Sequence, residues 1–292
     1  MSFREIGQQL RAYRMDSGLK AEDISAQLGI SRAALYRYEK GEVIKLETIT
    51  RLAELLKISP LTLLGIGVEY YAKPVGYAER LRQIEETAEH ILQFFGPLCY
   101  LLSSEHYDLI LRRVLEEHIL TSGVDIQAAR TTTETVMNIL LARKKSYQIR
   151  KPTIITILTT SCIQKFLCEG IAPAAQISVD LRNEARQAAR HEMELLANLM
   201  ESEPIGLQFG VMTKGEPNGP FALFRARDRA SLAINPFPTD ALPNTQFGIA
   251  MITNAEDAIA VHQSASEQVW PATLKGAAAA QQIRNLITAV RS

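Results

Sequence analysis

The sequence predicts a mainly α-helical protein with an α+β C-terminal part. Three observations support this expectation. Residues 18–46 hold two short helical segments around a glycine, residues 77–150 keep apolar side chains at helical spacing, and from Ile205 onward apolar residues alternate with a period of two. At 292 residues, the chain is long enough for at least two domains.

Two short helices joined by a tight turn are predicted within residues 18–46. The first covers residues 20–28, and Gly29 follows where the chain must turn sharply without steric conflict. Ser31 is then placed to cap the second helix, which is predicted over residues 32–40.

The second helix has an inner and an outer face. Leu35 and Tyr38, three residues apart, point toward the core, and Gly41 ends the helix. Flanking apolar stripes predict further helices. These stripes are Phe3, Ile6, Leu10 and Tyr13 before the pair, and Ile49, Leu52 and Leu56 after it, followed by a short helix that opens at Ser59 and Pro60.

This segment resembles the Xre/Cro family of helix-turn-helix repressors. The matching positions are Gly18, Leu19, Gly29, Ser31, Arg32, Glu39 and Gly41, followed by Leu46, Glu47 and Thr48. The resemblance implies a five-helix, lambda-repressor-like DNA-binding domain over residues 1–66. It also implies a transcription regulator that binds double-stranded DNA as a homodimer on a pseudo-palindromic operator.

The resemblance assigns the DNA contacts to the outer face of the second helix. Arg32, Ala33 and Arg37, together with Tyr36, are expected to meet base edges, because arginine can bind guanine through two hydrogen bonds and alanine can contact a thymine methyl group. The alternative is that one of the arginines contacts only phosphate. Backbone contacts are expected from Ser31, Lys40 and Lys45.

Glu39 lies on the inner side of the same helix, where an unpaired charge is costly. The family pattern pairs this glutamate with an arginine late in the first helix, which here is Arg14. We therefore expect a structural Arg14–Glu39 ion pair, whose loss in Glu39→Ala would cost about 3–5 kcal/mol if the pair is well buried.

Composition limits the classes of protein. The formal net charge is zero, from 32 basic and 32 acidic residues, so any nucleic-acid surface must be local. The three cysteines form no Cys-x-x-Cys pair, and the N-terminus lacks the apolar stretch of a signal peptide, which favours a cytoplasmic protein. No apolar run approaches the 18 or so residues of a membrane span.

Glycines and a proline in residues 67–76 predict a linker, after which an effector and dimerisation domain is expected over residues 77–292, helical in 77–150 and α+β in 151–292. Its first segment has a heptad stripe of Tyr77, Leu81, Ile84, Ala88, Ile91, Phe95 and Leu98. This stripe is consistent with a dimerisation helix or with an amphipathic helix packed inside its own chain.

The C-terminal part is predicted to be an antiparallel sheet backed by helices. The expected strands are TIITIL, the run from Ile205 to Val211, a hairpin of FALFRA and ASLAIN, and the segments FGIAMI and AIAVHQ. Helices are expected over residues 182–200 and after Pro271. The aromatic residues Phe209, Phe221, Phe224, Phe247 and Trp270 are candidates for a ligand pocket, although such spacing is also typical of core packing.

Three functions remain open for this large C-terminal part. It could bind a small-molecule effector and thereby change the spacing or orientation of the DNA-binding heads. Alternatively, it could bind a partner protein, as in an antitoxin or immunity pair. A DNA-tethered enzyme is the third hypothesis, but the five scattered histidines form no metal motif and no nucleophile or phosphate-binding motif is present. We therefore expect no catalysis, no cofactor and no metal. An enclosed apolar pocket would favour the sensor, and a large exposed apolar patch the partner binder.

Overall fold

A computed structural model describes residues 3–94, 96, 98–215, 219–234, 237, 240–246 and 248–291. These residues form twelve α-helices and one seven-stranded sheet. This confirms the expected mainly α-helical fold with an α+β C-terminal part. We call residues 3–66 the head and the remainder the body.

The head is a bundle of five helices, as expected from the sequence. They are α1 (Phe3–Ser17), α2 (Ala21–Leu28), α3 (Arg32–Glu39), α4 (Leu46–Leu56) and α5 (Pro60–Leu63). The turn between α2 and α3 forms because Gly29 adopts φ 68°, in the left-handed region. The Ser31 hydroxyl then accepts a hydrogen bond from the backbone N–H of Ala34 at 3.1 Å, which caps α3.

The sheet of the body is mixed. Its strands are β1 (Val68–Tyr71), β2 (His90–Phe94), β3 (Thr153–Thr159), β4 (Leu207–Met212), β5 (Phe221–Arg225), β6 (Ala230–Ile234) and β7 (Ala250–Thr253), in the order β1-β7-β6-β5-β2-β3-β4. The pairs from β1 to β2 are antiparallel, whereas β2, β3 and β4 are parallel to one another. The expectation of a wholly antiparallel sheet is therefore wrong for three strands.

Most body helices cover one face of this sheet. They are α6 (Pro74–Glu85), α7 (Glu105–Thr121), α8 (Ile126–Arg150), α9 (Thr160–Glu169), α10 (Val179–Ser202) and α12 (Gly276–Arg291). Ile91 of β2 and Phe224 of β5 belong to the core that these helices share with the head. On the opposite face, α11 (Glu256–Val269) places Ile259 against Leu223 and Leu232.

The long helix expected from the heptad stripe is absent. Helix α6 contains the stripe only as far as Ile84, and Ile91 lies in strand β2, while Phe95 falls outside the described residues. Every residue of α6 except Arg82 is buried within its own chain. The alternative in which residues 77–98 form a dimerisation helix is therefore contradicted, and residues 77–150 are not wholly helical.

Two further expectations need correction. Residues 67–76, predicted as a linker, hold strand β1 and the first turn of α6. The segment AIAVHQ lies inside helix α11 rather than in a strand. Glu256 and Asp257 occupy the first turn of α11, where acidic side chains favour a helix start. The hairpin of FALFRA and ASLAIN is confirmed as β5 and β6.

Candidate nucleic-acid interface

The outward face of α3 and its flanks form the candidate interface. Seven predicted DNA-contacting residues are all exposed: Ser31, Arg32, Ala33, Tyr36, Arg37, Lys40 and Lys45. Leu35, on the opposite side of α3, is fully buried in the head. The capped start of α3 and its buried inner face hold Arg32, Ala33, Tyr36 and Arg37 on one helix, with Ser31 and Lys40 at its two ends, whereas Lys45 lies just before α4.

Arg14 and Glu39 form the ion pair that anchors α3 to α1. The Arg14 Nε donates to Glu39 Oε1 at 2.5 Å and its Nη2 to Oε2 at 3.1 Å, so the contact is bidentate. Glu39 is buried and Arg14 mostly so. Burial alone would lower the pKa of Arg14, but the hydrogen bond and charge of Glu39 raise it above its ordinary value, which keeps the guanidinium charged.

Tyr36 links the exposed face to this pair. The guanidinium carbon of Arg14 lies 6.0 Å from the centre of the Tyr36 ring, at the outer limit of a cation–π contact. Tyr36 nevertheless keeps 39% of its surface exposed. Its ring is therefore both positioned from inside the head and accessible to a ligand outside.

The two arginines on the outward face are paired with neighbouring carboxylates. Arg32 lies 2.8 Å from Glu22 in the first turn of α2, and Arg37 lies 3.1 Å from Glu42 just after α3. All four side chains are more than half exposed. Exposed pairs of this kind contribute about 0–1 kcal/mol, so both guanidinium groups can exchange a carboxylate for a stronger anionic partner.

A network of buried polar groups joins the head to the body. Glu69 of β1 accepts two hydrogen bonds from Arg80 of α6, both at 2.8 Å, one from Gln9 of α1 at 2.8 Å and one from the Tyr71 hydroxyl at 2.7 Å. Tyr71 also stacks on Tyr13 of α1, with ring centres 4.9 Å apart. We call this contact between α1, β1 and α6 the junction.

Helices α1 and α6 approach each other closely at the junction. A Cβ atom on Gly76 would lie 2.4 Å from the Cβ of Asp16, so a side chain there would force the helices apart. Asp16, in the last turn of α1, accepts hydrogen bonds from the backbone N–H groups of Ala72 and Lys73. Arg11 of α1 adds an ion pair with the buried Glu79 at 2.8 Å. The head is thus fixed to the body through the same helix that holds α3.

Sequence reasoning missed the junction. In the sequence, Glu79 and Arg80 resemble the solvated face of an amphipathic helix, although their side chains are buried. A glycine and several charged residues beside an apolar stripe were the available signal. Their partners on other elements, Glu69 for Arg80 and Arg11 for Glu79, lie more than ten residues away in the chain and show why these positions are buried.

Two other kinds of site are not supported. Among the described residues, no group of three or more histidine, cysteine or acidic side chains is arranged to hold a metal ion. The helices within the same residues include none with the length and apolar character needed to cross a membrane.

Residues 5–63 match the family model of a helix-turn-helix domain. This match agrees with the five helices and the capped turn, and the head is therefore a helix-turn-helix domain, a class whose second helix enters the major groove of DNA. The match covers the head and leaves the body unassigned.

Comparison with solved structures includes a likeness to TrmBL2, described as an archaeal chromatin protein that "shows a novel mode of DNA binding". The two chains share 9% sequence identity with a TM-score of 0.32, over 78% of this chain and 61% of the other. This chain therefore spans less than two thirds of that protein's length. No curated protein sequence matches the chain.

Proposed function

We propose that the chain is a sequence-specific regulator of transcription that binds double-stranded DNA through the outward face of α3. The observation that supports this proposal best is the exposure of all seven predicted contact residues on a helix-turn-helix domain. Arg32 and Arg37 serve as the base-reading side chains, and Ser31, Lys40 and Lys45 hold the phosphate backbone. This assignment follows the Xre/Cro type of head.

Binding requires the two arginines to leave their carboxylate partners. Glu22 and Glu42 place negative charge beside the interface, so the free protein presents a weak positive field. Non-specific DNA attracts proteins through its phosphate charge. A weak positive field therefore adds little to the affinity for non-specific DNA. A correct base sequence offers arginine two directed hydrogen bonds, and it therefore replaces the carboxylates more effectively than phosphate alone.

We further propose that the regulator acts as a homodimer in the cytoplasm. A single head of this size, whose two outward arginines are paired with carboxylates, makes a limited contact with DNA. Two heads related by a two-fold axis would reach successive major grooves about 34–36 Å apart on a pseudo-palindromic operator. Because α6 is buried, the contact between subunits must use another surface of the chain.

An effector-sensing role for the body is supported by a cavity of about 240 Å³ next to α6 that is partly open to solvent. One side of α6, including Tyr77, Leu81 and Glu85, lines this cavity. The other side, including Arg80, forms the junction with the head. A molecule in the cavity can therefore act on the helix that carries the head, provided that it binds one arrangement of the body better than another.

The other two hypotheses lack a comparable observation. A partner-binding body, as in an antitoxin or immunity protein, predicts one large exposed apolar patch, whereas a concave cavity lined by aromatic and aliphatic side chains fits a small ligand better. For the same reason we propose a role in binding rather than in catalysis.

Selection from a pool of random DNA duplexes at physiological salt tests the main proposal. The full chain should enrich one pseudo-palindromic sequence, and a variant with both Arg32→Ala and Arg37→Ala should lose the enrichment while keeping the fold. Arg186→Ala is the matched control, because this arginine lies on α10, far from the head in the chain. Enrichment that is absent in the wild type, or unchanged in the double variant, would overturn the proposal.

Sedimentation of the protein with and without the enriched duplex measures the number of chains bound. Two chains per duplex are expected. One chain per duplex at saturation would contradict the homodimer while leaving DNA recognition by α3 intact.

A further inference from the structure

The cavity beside α6 has the size of a small organic molecule. It lies where the carboxyl end of β2 and the start of β5 meet helices α6, α7 and α8. Its volume of about 240 Å³ exceeds the roughly 150 Å³ that is known to accommodate a benzene ring in a protein core. A molecule with one or two rings therefore fits.

Aromatic rings make up much of the cavity wall. Tyr77 of α6, Tyr107 of α7 and both Phe221 and Phe224 of β5 line it, and Leu140 of α8 contributes an aliphatic wall. Two of the aromatic residues predicted as pocket candidates, Phe221 and Phe224, are thus among them. Aromatic walls favour a flat ligand, because rings pack best edge-to-face or in offset stacks.

Three polar groups at the cavity have no hydrogen-bond partner among the described residues. Tyr77 and Tyr107 are each 97% buried, and neither hydroxyl makes a hydrogen bond there, although both side chains line the cavity. Arg143, also in the wall, uses Nε and Nη2 to bind Glu85, and its Nη1 makes no hydrogen bond. Tyr100, by contrast, already donates to Asp108 at 2.9 Å. None of the three is among the fully buried polar atoms that lack a partner, so each is open to the space of the cavity, where it can donate to an external acceptor.

The charges of the site are already balanced. Arg143 binds both oxygens of Glu85 at 2.8 Å, so this buried pair needs no further ion. Asp240, in the same wall, accepts a hydrogen bond from the backbone N–H of Ala172, and burial raises the pKa of its carboxyl group, which disfavours the charged form. A charged ligand would have to lose its hydration without gaining an unpaired counter-ion.

We propose that the cavity binds a neutral, planar molecule of one or two rings, with a carbonyl or hydroxyl oxygen that accepts hydrogen bonds from Tyr77, Tyr107 and Arg143. Its role as the effector rests on the proposed regulatory function, but the binding itself does not. Both tyrosines belong to helices that line the cavity, and Tyr77 is on α6. The ligand thus contacts α6, the helix that packs against the head at the junction.

Four small probes of similar size test this chemistry on the full chain in the absence of DNA: benzamide, benzoate, benzylamine and toluene. Chemical-shift titration of the isotope-labelled protein measures the dissociation constant of each. Benzamide should bind saturably and at least tenfold more tightly than benzoate or benzylamine. Toluene should bind too, but more weakly than benzamide, because it lacks the acceptor.

Variants distinguish recognition through hydrogen bonds from non-specific apolar binding. Combining Tyr77→Phe with Tyr107→Phe should weaken benzamide roughly tenfold and leave toluene unchanged, since only hydrogen bonds are removed. Tyr70→Phe, on the exposed side of β1, is the matched control and should change neither. Leu140→Trp should abolish binding of both by filling the cavity, with retained folding checked by circular dichroism.

Tightest binding of benzoate or benzylamine, no saturable binding of any probe, or unchanged benzamide affinity in the double tyrosine variant would each overturn the proposal. Because the assay contains no DNA, such a failure would leave the result of the duplex selection untouched. Conversely, loss of duplex enrichment would not affect the binding of benzamide.

Discussion

The outward face of α3 and the junction use the same arginine–carboxylate contact in opposite surroundings. The Arg37–Glu42 pair has side chains that are 59% and 55% exposed, whereas those of Arg80 and Glu69 are 4% and 5% exposed. Their distances are nearly the same, 3.1 and 2.8 Å. Burial, rather than distance, therefore separates a contact that opens readily from one that fixes two helices in place.

This difference fits the two tasks of a regulator. Exposed arginines remain available to a ligand because water and salt weaken their pairs. Buried groups hold the head in a single orientation, since breaking one of their contacts leaves a charge without solvent or partner. Substitutions in the two regions test whether their stability and DNA affinity respond as differently as their burial implies.

The largest effect is expected at the junction. Arg80→Met leaves the buried carboxylate of Glu69 without its ionic partner and should lower the free energy of unfolding by about 3–5 kcal/mol in urea denaturation. Arg113→Met removes an exposed pair with Glu184 and serves as the control, with little expected change. Equal losses in the two variants would mean that burial does not distinguish these contacts.

A slightly smaller effect is expected inside the head. Glu39→Ala leaves Arg14 without its bidentate partner, and because Arg14 keeps some contact with solvent, the cost should lie near 3 kcal/mol. Thermal unfolding followed by circular dichroism measures it. Glu42→Ala, on the same stretch of chain but exposed, should leave the unfolding temperature nearly unchanged, and a similar fall in both variants would contradict an anchoring role for Glu39.

The smallest effect concerns DNA affinity. Glu42→Gln frees Arg37 and should strengthen binding to the selected duplex by up to about fivefold at low salt, equivalent to about 1 kcal/mol. Fluorescence anisotropy measures this change. Glu47→Gln is the control for general loss of negative charge, because Glu47 is exposed at the start of α4 and has no ion pair in the described part of the chain. An equal gain in DNA affinity in both variants would show that the ion pair with Glu42 does not weaken the binding of Arg37 to DNA.

Local signals in the sequence were sufficient for the head. The side chain of Ser31 and the positive φ angles of Gly29 and Gly41 act within a few residues, so the limits of α2 and α3 could be predicted closely. The Arg14–Glu39 pair was accessible through family resemblance rather than through spacing. Contacts with DNA by the outward residues remain predictions.

The body was harder to predict because its contacts are distant in sequence. Ile91 fits a helical stripe as well as a strand, and only the pairing of β2 with β3 and β5 shows that it lies in a strand. The cavity could not be predicted from the sequence either. Tyr77 and Tyr107 lie thirty residues apart on different helices, and they line the same cavity only in the folded chain. Single-sequence periodicity contains no information about such partners.

The contrast between exposed and buried arginines can be observed directly by nuclear magnetic resonance of the side-chain Nε–H groups, with and without the selected duplex. Signals of Arg32 and Arg37 should shift on DNA binding, while those of Arg14 and Arg80 stay in place. Unmoved signals from Arg32 and Arg37 in a saturated complex would contradict recognition of DNA by the outward face of α3.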